Sequence, residues 1–245
     1  MKSCPWRLVT TESPRTIGTA NRKVGGGLED FSLPVLLNYL PLLLSGLPGT
    51  IGIAFFAILC GVFIGFFAGL ARVSLNPVIK HLAMIYVEVI RGVPLLVIIY
   101  LIYFGLGSFV DIPRYAAAVI SLGIFSGAYV AEIFRAAVES VPSGQMEAAL
   151  SVGLTRGQAL RKIILPQALK RMVPPLAGQF ISLTKDSSLA SVIAIPELTL
   201  TTYQAITMTF RSFQFWMATA FIYFVLGWVL QRVARYLERR FAVID

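Results

Sequence analysis

Between Phe31 and Ala71 the chain carries no charged side chain, and few folds are open to an apolar run of that length. A helix crossing a ~30 Å hydrocarbon layer uses about 20 apolar residues, so the run is too long for one ordinary span. Pro34, Pro41 and Pro48 interrupt its first half, and each lacks the N–H that an unbroken helix needs. The pattern predicts an interfacial or re-entrant lead-in over 31–47 and a first span over 48–71. Charge is absent again from Gly92 to Val110, which predicts a second span beginning near Ile85. Tyr115 to Ala131 starts a third that continues to Val138. Met172–Thr184 and Ser187–Pro196 form a fourth, split by Lys185 and Asp186, and Ser212–Gln231 forms the last. The expectation is an all-α integral membrane protein with five transmembrane helices in one domain, 31–245. Residues 1–30 are polar and charged with a joint at Gly25–Gly27, and predict a flexible tail that joins no core. The first apolar run begins too late for a secretory signal.

Composition supports this reading: 57% of residues are hydrophobic, 13% are charged and mean hydropathy is +0.78, against about 25% charged in soluble domains. The net charge of +9 would suggest nucleic acid on a soluble protein. Here topology accounts for it. With the C-terminus inside, one side holds Arg72, Lys80, Arg91, Arg156, Arg161, Lys162, Lys170, Arg171, Arg232, Arg235, Arg239 and Arg240, against Arg114 and Arg211 opposite. Basic loops stay cytoplasmic, which predicts a multi-pass membrane protein in contact with lipid, with its C-terminus inside. The five basic residues of the tail, Lys2, Arg7, Arg15, Arg22 and Lys23, fall outside in that arrangement. A sixth crossing through 31–47 is the alternative. His81 is the only histidine, and Cys4 and Cys60 are the only cysteines, so no metal site or disulfide framework is expected.

The segment from about 139 to 171 is long for a connector and internally ordered. Ser143 follows a proline and is expected to cap a short helix through Met146, Ala149 and Leu150, with Gly153 as its C-terminal turn. Thr155 is expected to cap a second, basic helix that Pro166 halts. Such a pair could form a rigid cytoplasmic knob or an amphipathic hairpin lying on lipid. In the spans, Gly61, Gly65 and Gly69, and Gly123 with Gly127, are small-xxx-small steps that allow close helix approach.

Glu147-Ala148-Ala149, three residues, Gly153, nine residues, Ile163, one residue and Leu165-Pro166 match without a gap the EAA loop of ABC-importer permease subunits. Tyr86-Val87-Glu88-Val89-Ile90-Arg91-Gly92-Val93-Pro94, Ser126-Gly127-Ala128-Tyr129 and Ile181-Ser182-Leu183-Thr184-Lys185-Asp186-Ser187-Ser188-Leu189 are similar to motifs of the polar amino acid permeases. The chain resembles that family, which handles histidine, glutamate, glutamine, arginine and opines, over roughly 40–240. The resemblance implies a type I ABC-importer fold with a cytoplasmic coupling-helix loop. It implies uptake of polar or charged L-amino acids, a second permease copy or related permease, ATP-binding-cassette ATPase subunits and a periplasmic or extracellular amino acid-binding protein. Glu147, Ala148, Ala149, Gly153, Ile163, Leu165 and Pro166 are then the ATPase-coupling residues. Small alanines permit close approach, Gly153 turns the chain, and Glu147 offers a carboxylate. The chain has no Gly-x-x-x-x-Gly-Lys-[Ser/Thr] loop, so it is expected to be no enzyme and to hold no cofactor, ATP and Mg being bound by the ATPase.

Charges at membrane depth cost at least about 2.5 kcal/mol each and face a cavity or a partner. Lys185 and Asp186 are adjacent and point about 100° apart on a helix, so they do not neutralise each other. A zwitterionic amino acid needs both signs. Lys185, Asp186, Ser187 and Ser188 are expected to line the substrate pathway or a dimer interface, or to pair with another helix. Glu132 is a further pathway candidate, although at i,i+3 from Arg135 it can also form a structural pair. Glu88 and Arg91 repeat that spacing. A stand-alone channel and a secondary transporter are the rival readings, and neither requires an ATPase dock.

Overall fold

A computed structural model describes residues 31–241, with side chains placed to 236; the expected tail lies outside it. Ten α-helices run in order: α1 Leu33–Ser45, α2 Leu47–Arg72, α3 Pro77–Gly92, α4 Leu95–Tyr100, α5 Arg114–Glu139, α6 Ser143–Ser151, α7 Arg156–Ala159, α8 Leu165–Asp186, α9 Leu198–Thr209 and α10 Ser212–Phe241. Short π and 3₁₀ turns extend α4, join α7 to α8 and follow α8.

Leu33–Arg72, Arg114–Glu139 and Ser212–Tyr236 are each long and apolar enough to cross a membrane. Two broken pairs supply the remaining crossings. Pro77–Gly92 meets Leu95–Ser108 at 103°, and Arg156–Ile193 meets Leu198–Thr209 at 52°. The described residues therefore form a helical membrane protein with three straight candidate spans, and five if each bent pair is one crossing.

Three expectations are corrected. The lead-in over 31–47 is neither broken nor irregular, since α1 is helical and runs on into α2. Pro34 and Pro48 sit in the first turns of their helices, where the missing N–H has no intrahelical role, and only Pro41 is interior. The second span is not one rod. Val93 is extended and Pro94 follows it, because a residue before proline is driven out of the α region. Nor does Pro166 halt its helix. The preceding turn, Leu160–Ile164, widens to π geometry, the Leu165 N–H reaches the Leu160 carbonyl, and α8 starts with Pro166 in its first turn.

The centre of the fold is a parallel seam between α2 and α5, where the small-residue steps expected to allow close approach meet. A methyl group added at Gly61 would lie 2.6 Å from Ser126 Oγ, one at Gly65 2.5 Å from Val130 Cβ, and one at Gly69 2.6 Å from Phe134 Cβ. On the opposite helix Gly123 faces Cys60 and Gly127 faces Ile64. Dispersion between close backbones replaces the hydrophobic drive that lipid removes. Around this seam one cluster joins Ile53, Ile99, Leu122, Leu183 and Ile193. A second, nearer the α6–α7 loop, joins Val130, Phe134, Val141, Ile164 and Met172. A third ties α1 to α9 and α10 through Leu43, Leu198 and Phe215.

The turn into α9 holds a carboxylate absent from the sequence-based candidates. Glu197 is fully buried and caps α9, accepting from the Thr199 N–H at 2.8 Å and the Leu200 N–H at 2.7 Å, while the Tyr223 hydroxyl donates to it at 3.0 Å. Leu198 N–H donates to Thr50 Oγ1 at 3.1 Å, so the same turn is pinned to α2. Glu197 is the only charge between Asp186 and Arg211. A lone acid in so apolar a stretch is the signal that could have marked it.

Candidate functional site

The α6–α7 loop is rigid by its own local chemistry. α6 ends in a Schellman turn: the Gly153 N–H donates to the Leu150 carbonyl at 3.0 Å and the Leu154 N–H to that of Ala149 at 3.1 Å. This closure requires a left-handed residue, and Gly153 supplies φ +86°. Two residues later Thr155 and Gln158 form a reciprocal capping box, with Thr155 Oγ1 taking the Gln158 N–H at 3.3 Å and Gln158 Oε1 the Thr155 N–H at 3.0 Å. Ser143 does not cap α6; Pro142 holds that position and Ser143 is the first helical residue. Thr155→Ala removes an N-cap worth about 1 kcal/mol. Amide exchange at 156–159 is expected to quicken about fivefold while that of α5 stays unchanged, as hydrogen-exchange mass spectrometry would read.

The loop has two faces. Ala149, Ala159 and Ile164 are buried, and Met146, Leu160, Ile163 and Leu165 pack partly against the second cluster. Glu147, Ala148, Gly153 and Pro166 are exposed, and Val152 is 77% exposed. Of the two alanines expected to admit a partner, only Ala148 faces outward. Ala149, one position on, is carried by the helical turn into the core. Behind α6 a groove of about 910 Å³, whose walls include Arg72, Lys80, Glu139, Glu147 and Arg156, separates the loop from the α2–α3 turn.

Arg72 of α2 and Arg135 of α5 both pair with the Glu132 carboxylate, and Arg135 also pairs with Glu139. Arg91 of α3 stands 3.9 Å from Glu132 Oε2 and lies over the Tyr129 ring at 5.1 Å. Arg91 thus turns to α5 rather than to Glu88. The expected Glu132–Arg135 pair is present, with two further guanidiniums that sequence spacing could not reveal, since Arg72 lies 60 positions away. Glu132 belongs to the loop half of α5, beside Phe134 and Val130. Lys185 to Ser188 follow Leu183, which packs with Ile99 and Leu122 in the other half. The structure does not bring the two groups together.

At the end of α8, Lys185 is exposed and Asp186 partly buried. Lys185 lines a groove of about 380 Å³ with Tyr223, Trp228 and Gln231 of α10. Ser187 is fully buried and donates its hydroxyl to the Thr184 carbonyl at 2.9 Å. Ser188 is partly exposed and its carbonyl accepts from Ser191 Oγ at 2.7 Å.

Comparison with known proteins places this arrangement. Residues 61–243 match the family described as binding-protein-dependent transport system inner membrane component. The glutamine transport system permease protein GlnP of Escherichia coli (strain K12) is 42% identical over 208 residues, covering 84% of this chain and 95% of that protein. The probable glutamine ABC transporter permease protein GlnP of Bacillus subtilis (strain 168) is 41% identical over 209 residues, covering 82% and 94%. A crystal structure of an amino acid ABC transporter with histidines superposes with a TM-score of 0.81 at 41% identity, over 86% of this chain and 99% of that one. With bent spans, a glycine seam and a capped loop all carried by the matched region, the chain belongs to the binding-protein-dependent transport system inner membrane component family.

Proposed function

We propose that the chain imports polar or charged L-amino acids as one of two permease subunits, driven by separate ATPase subunits seated on α6–α7 and supplied by an external binding protein. The observation that carries the reading is the loop itself. A two-helix knob, rigid through its capping box and Schellman turn, projects Glu147, Ala148, Val152 and Gly153 from a chain that has no phosphate-binding loop of its own. Exposed apolar residues such as Val152 and Leu150 on the knob fit a docking face. ATP and Mg belong to the ATPase, and this chain holds no cofactor. The basic residues of the α2–α3 turn, the loop and the C-terminal end support a cytoplasmic side for that face, by the positive-inside rule. Transport follows by alternating access, with closure of the ATPases moving the loop and the loop moving the spans.

Within that reading Lys185, Asp186 and Ser188 are the pathway residues, the ammonium for a substrate carboxylate and the carboxylate for a substrate ammonium. Ser187 and Glu132 belong to the same proposed set; in this conformation Ser187 is buried against its own helix and Glu132 is engaged by arginines. In proteoliposomes holding the permease with its ATPase and binding protein, uptake of radiolabelled glutamine, histidine or arginine is expected to require both ATP and the binding protein. Uptake driven by an ion gradient without ATP would favour a secondary transporter, and passive flux a channel. Asp186→Asn is expected to raise the KM for uptake about tenfold, the worth of one charge-assisted hydrogen bond. An unchanged KM removes Asp186 from the pathway.

A further inference from the structure

We infer that Glu132 is a positioning residue that fastens the α3–α4 elbow to the α2–α5 pair, so that movement of the α6–α7 loop reaches the elbow through its carboxylate. Arginines from three helices converge on this one group. Arg72 is the last residue of α2, Arg91 is the last but one of α3, and Arg135 is one turn along α5. Such a cluster is a poor source of stability, because each charge must be desolvated before the attraction is gained. The α2–α5 seam does not need it either, since three glycines already bring those helices into contact. What the carboxylate adds is a hold on α3, whose other polar tie to α5 is the Tyr86 hydroxyl donating to the Ile124 carbonyl at 2.8 Å.

That hold is placed where direction is decided. One residue after Arg91 the helix ends, Val93 is extended, and the chain turns through 103° into the α4 segment, which buries Leu95, Ile98, Ile99 and Ile102 in the first cluster. Fixing Arg91 therefore fixes the aim of α4. On its other side the cluster meets the loop, since Arg72 and Glu139 both line the groove behind α6, together with Glu147 and Arg156. Arg91 is also the adjustable member. Its side chain is 43% exposed and its contact of 3.9 Å is within Coulomb reach but outside hydrogen-bond distance. A shift of α3 by roughly 1 Å makes or releases that bond, while the Tyr129 ring beneath the guanidinium keeps it in place.

The inference rests on the proposed ATPase-driven function, so the wild-type complex is read first. If it shows no ATP-dependent uptake in proteoliposomes, that reading fails before any variant is considered. Given a coupled wild type, the measured quantity is substrate imported per ATP hydrolysed in Arg91→Gln, Arg91→Lys, Glu132→Gln and the Arg91→Gln/Glu132→Gln double variant. Arg91→Gln and Glu132→Gln are each expected to lower that ratio by at least about fivefold, the low end of a measurable coupling free energy. The double variant should fall no further than Glu132→Gln alone, because that change already removes the contact with Arg91, and Arg91→Lys should retain most of the ratio. An unchanged ratio in Arg91→Gln, even with lowered thermal stability, overturns the inference, as do losses that multiply in the double variant. If Glu132→Gln does not insert, the half-exposed Arg91 variants decide the matter.

Discussion

Gly65→Leu is expected to leave almost no folded protein extractable from the membrane. A single added carbon at this position would already sit 2.5 Å from Val130 Cβ, 2.6 Å from its Cγ1 and 2.7 Å from the Gly127 carbonyl oxygen. None of these can swing aside, for two belong to a β-branched side chain with a stiff χ1 and one to the α5 backbone. Overpacking costs about 1–3 kcal/mol for a methylene or two, and a leucine adds four carbons where α2 and α5 are already in close contact. Fluorescence-detected size exclusion of the extracted protein measures the effect. Gly65→Ala should show partial loss, whereas Gly178→Ala, with nothing within 4 Å of its added carbon, should behave as wild type. Recovery of Gly65→Leu at wild-type yield would mean that the seam is not this close.

Gly153→Asp is expected to insert and fold normally, yet to lose ATP-driven uptake by about tenfold or more. Nothing lies within 4 Å of a carbon added here, so the cost to the fold is confined to the backbone. At φ +86° a non-glycine residue is strained by about 1–2 kcal/mol, and Asp and Asn bear this better than most. The larger effect is electrostatic, a new carboxylate one residue from exposed Val152 on the face proposed to enter the ATPase, where an unpaired charge would be desolvated. Gly153→Asn separates the two causes by keeping the strain without the charge, and should retain most of the uptake. Normal uptake and normal ATPase stimulation in Gly153→Asp would remove the coupling role from this turn. An equal loss in Gly153→Asn would assign the effect to backbone conformation instead.

Both variants act at glycines visible in the sequence, for different reasons. Gly61, Gly65 and Gly69 announce a packing face because a four-residue step returns to one side of a helix. Gly153 announces a turn because it follows a short apolar stripe and precedes a threonine cap. Prolines were less legible. Pro94 ends a helix and Pro166 opens one, although both interrupt apolar stretches. The difference lies in the backbone around them: the chain before Pro94 goes extended, while the chain before Pro166 widens by one residue per turn and keeps its direction. Proline's local effect follows from its ring, but the choice between bend and bulge depends on what packs against the turn, here Ile164 and Ala168 in the second cluster.

The same division holds for charge. Apolar runs, basic loops, the EAA spacing and the five-span helical class were all set by residue order, because hydropathy and periodicity act along the chain. So was the Thr155 cap, whose partner is three residues away. Tertiary structure alone decided that Arg72 and Arg91 meet Glu132, that Glu197, the cap of α9, is buried against α2 and α10, and that Ala149 and Ser187 face inward. Each of these depends on residues distant in the chain, brought together when the α2–α5 seam closes and leaves the remaining helices a limited set of surfaces to cover.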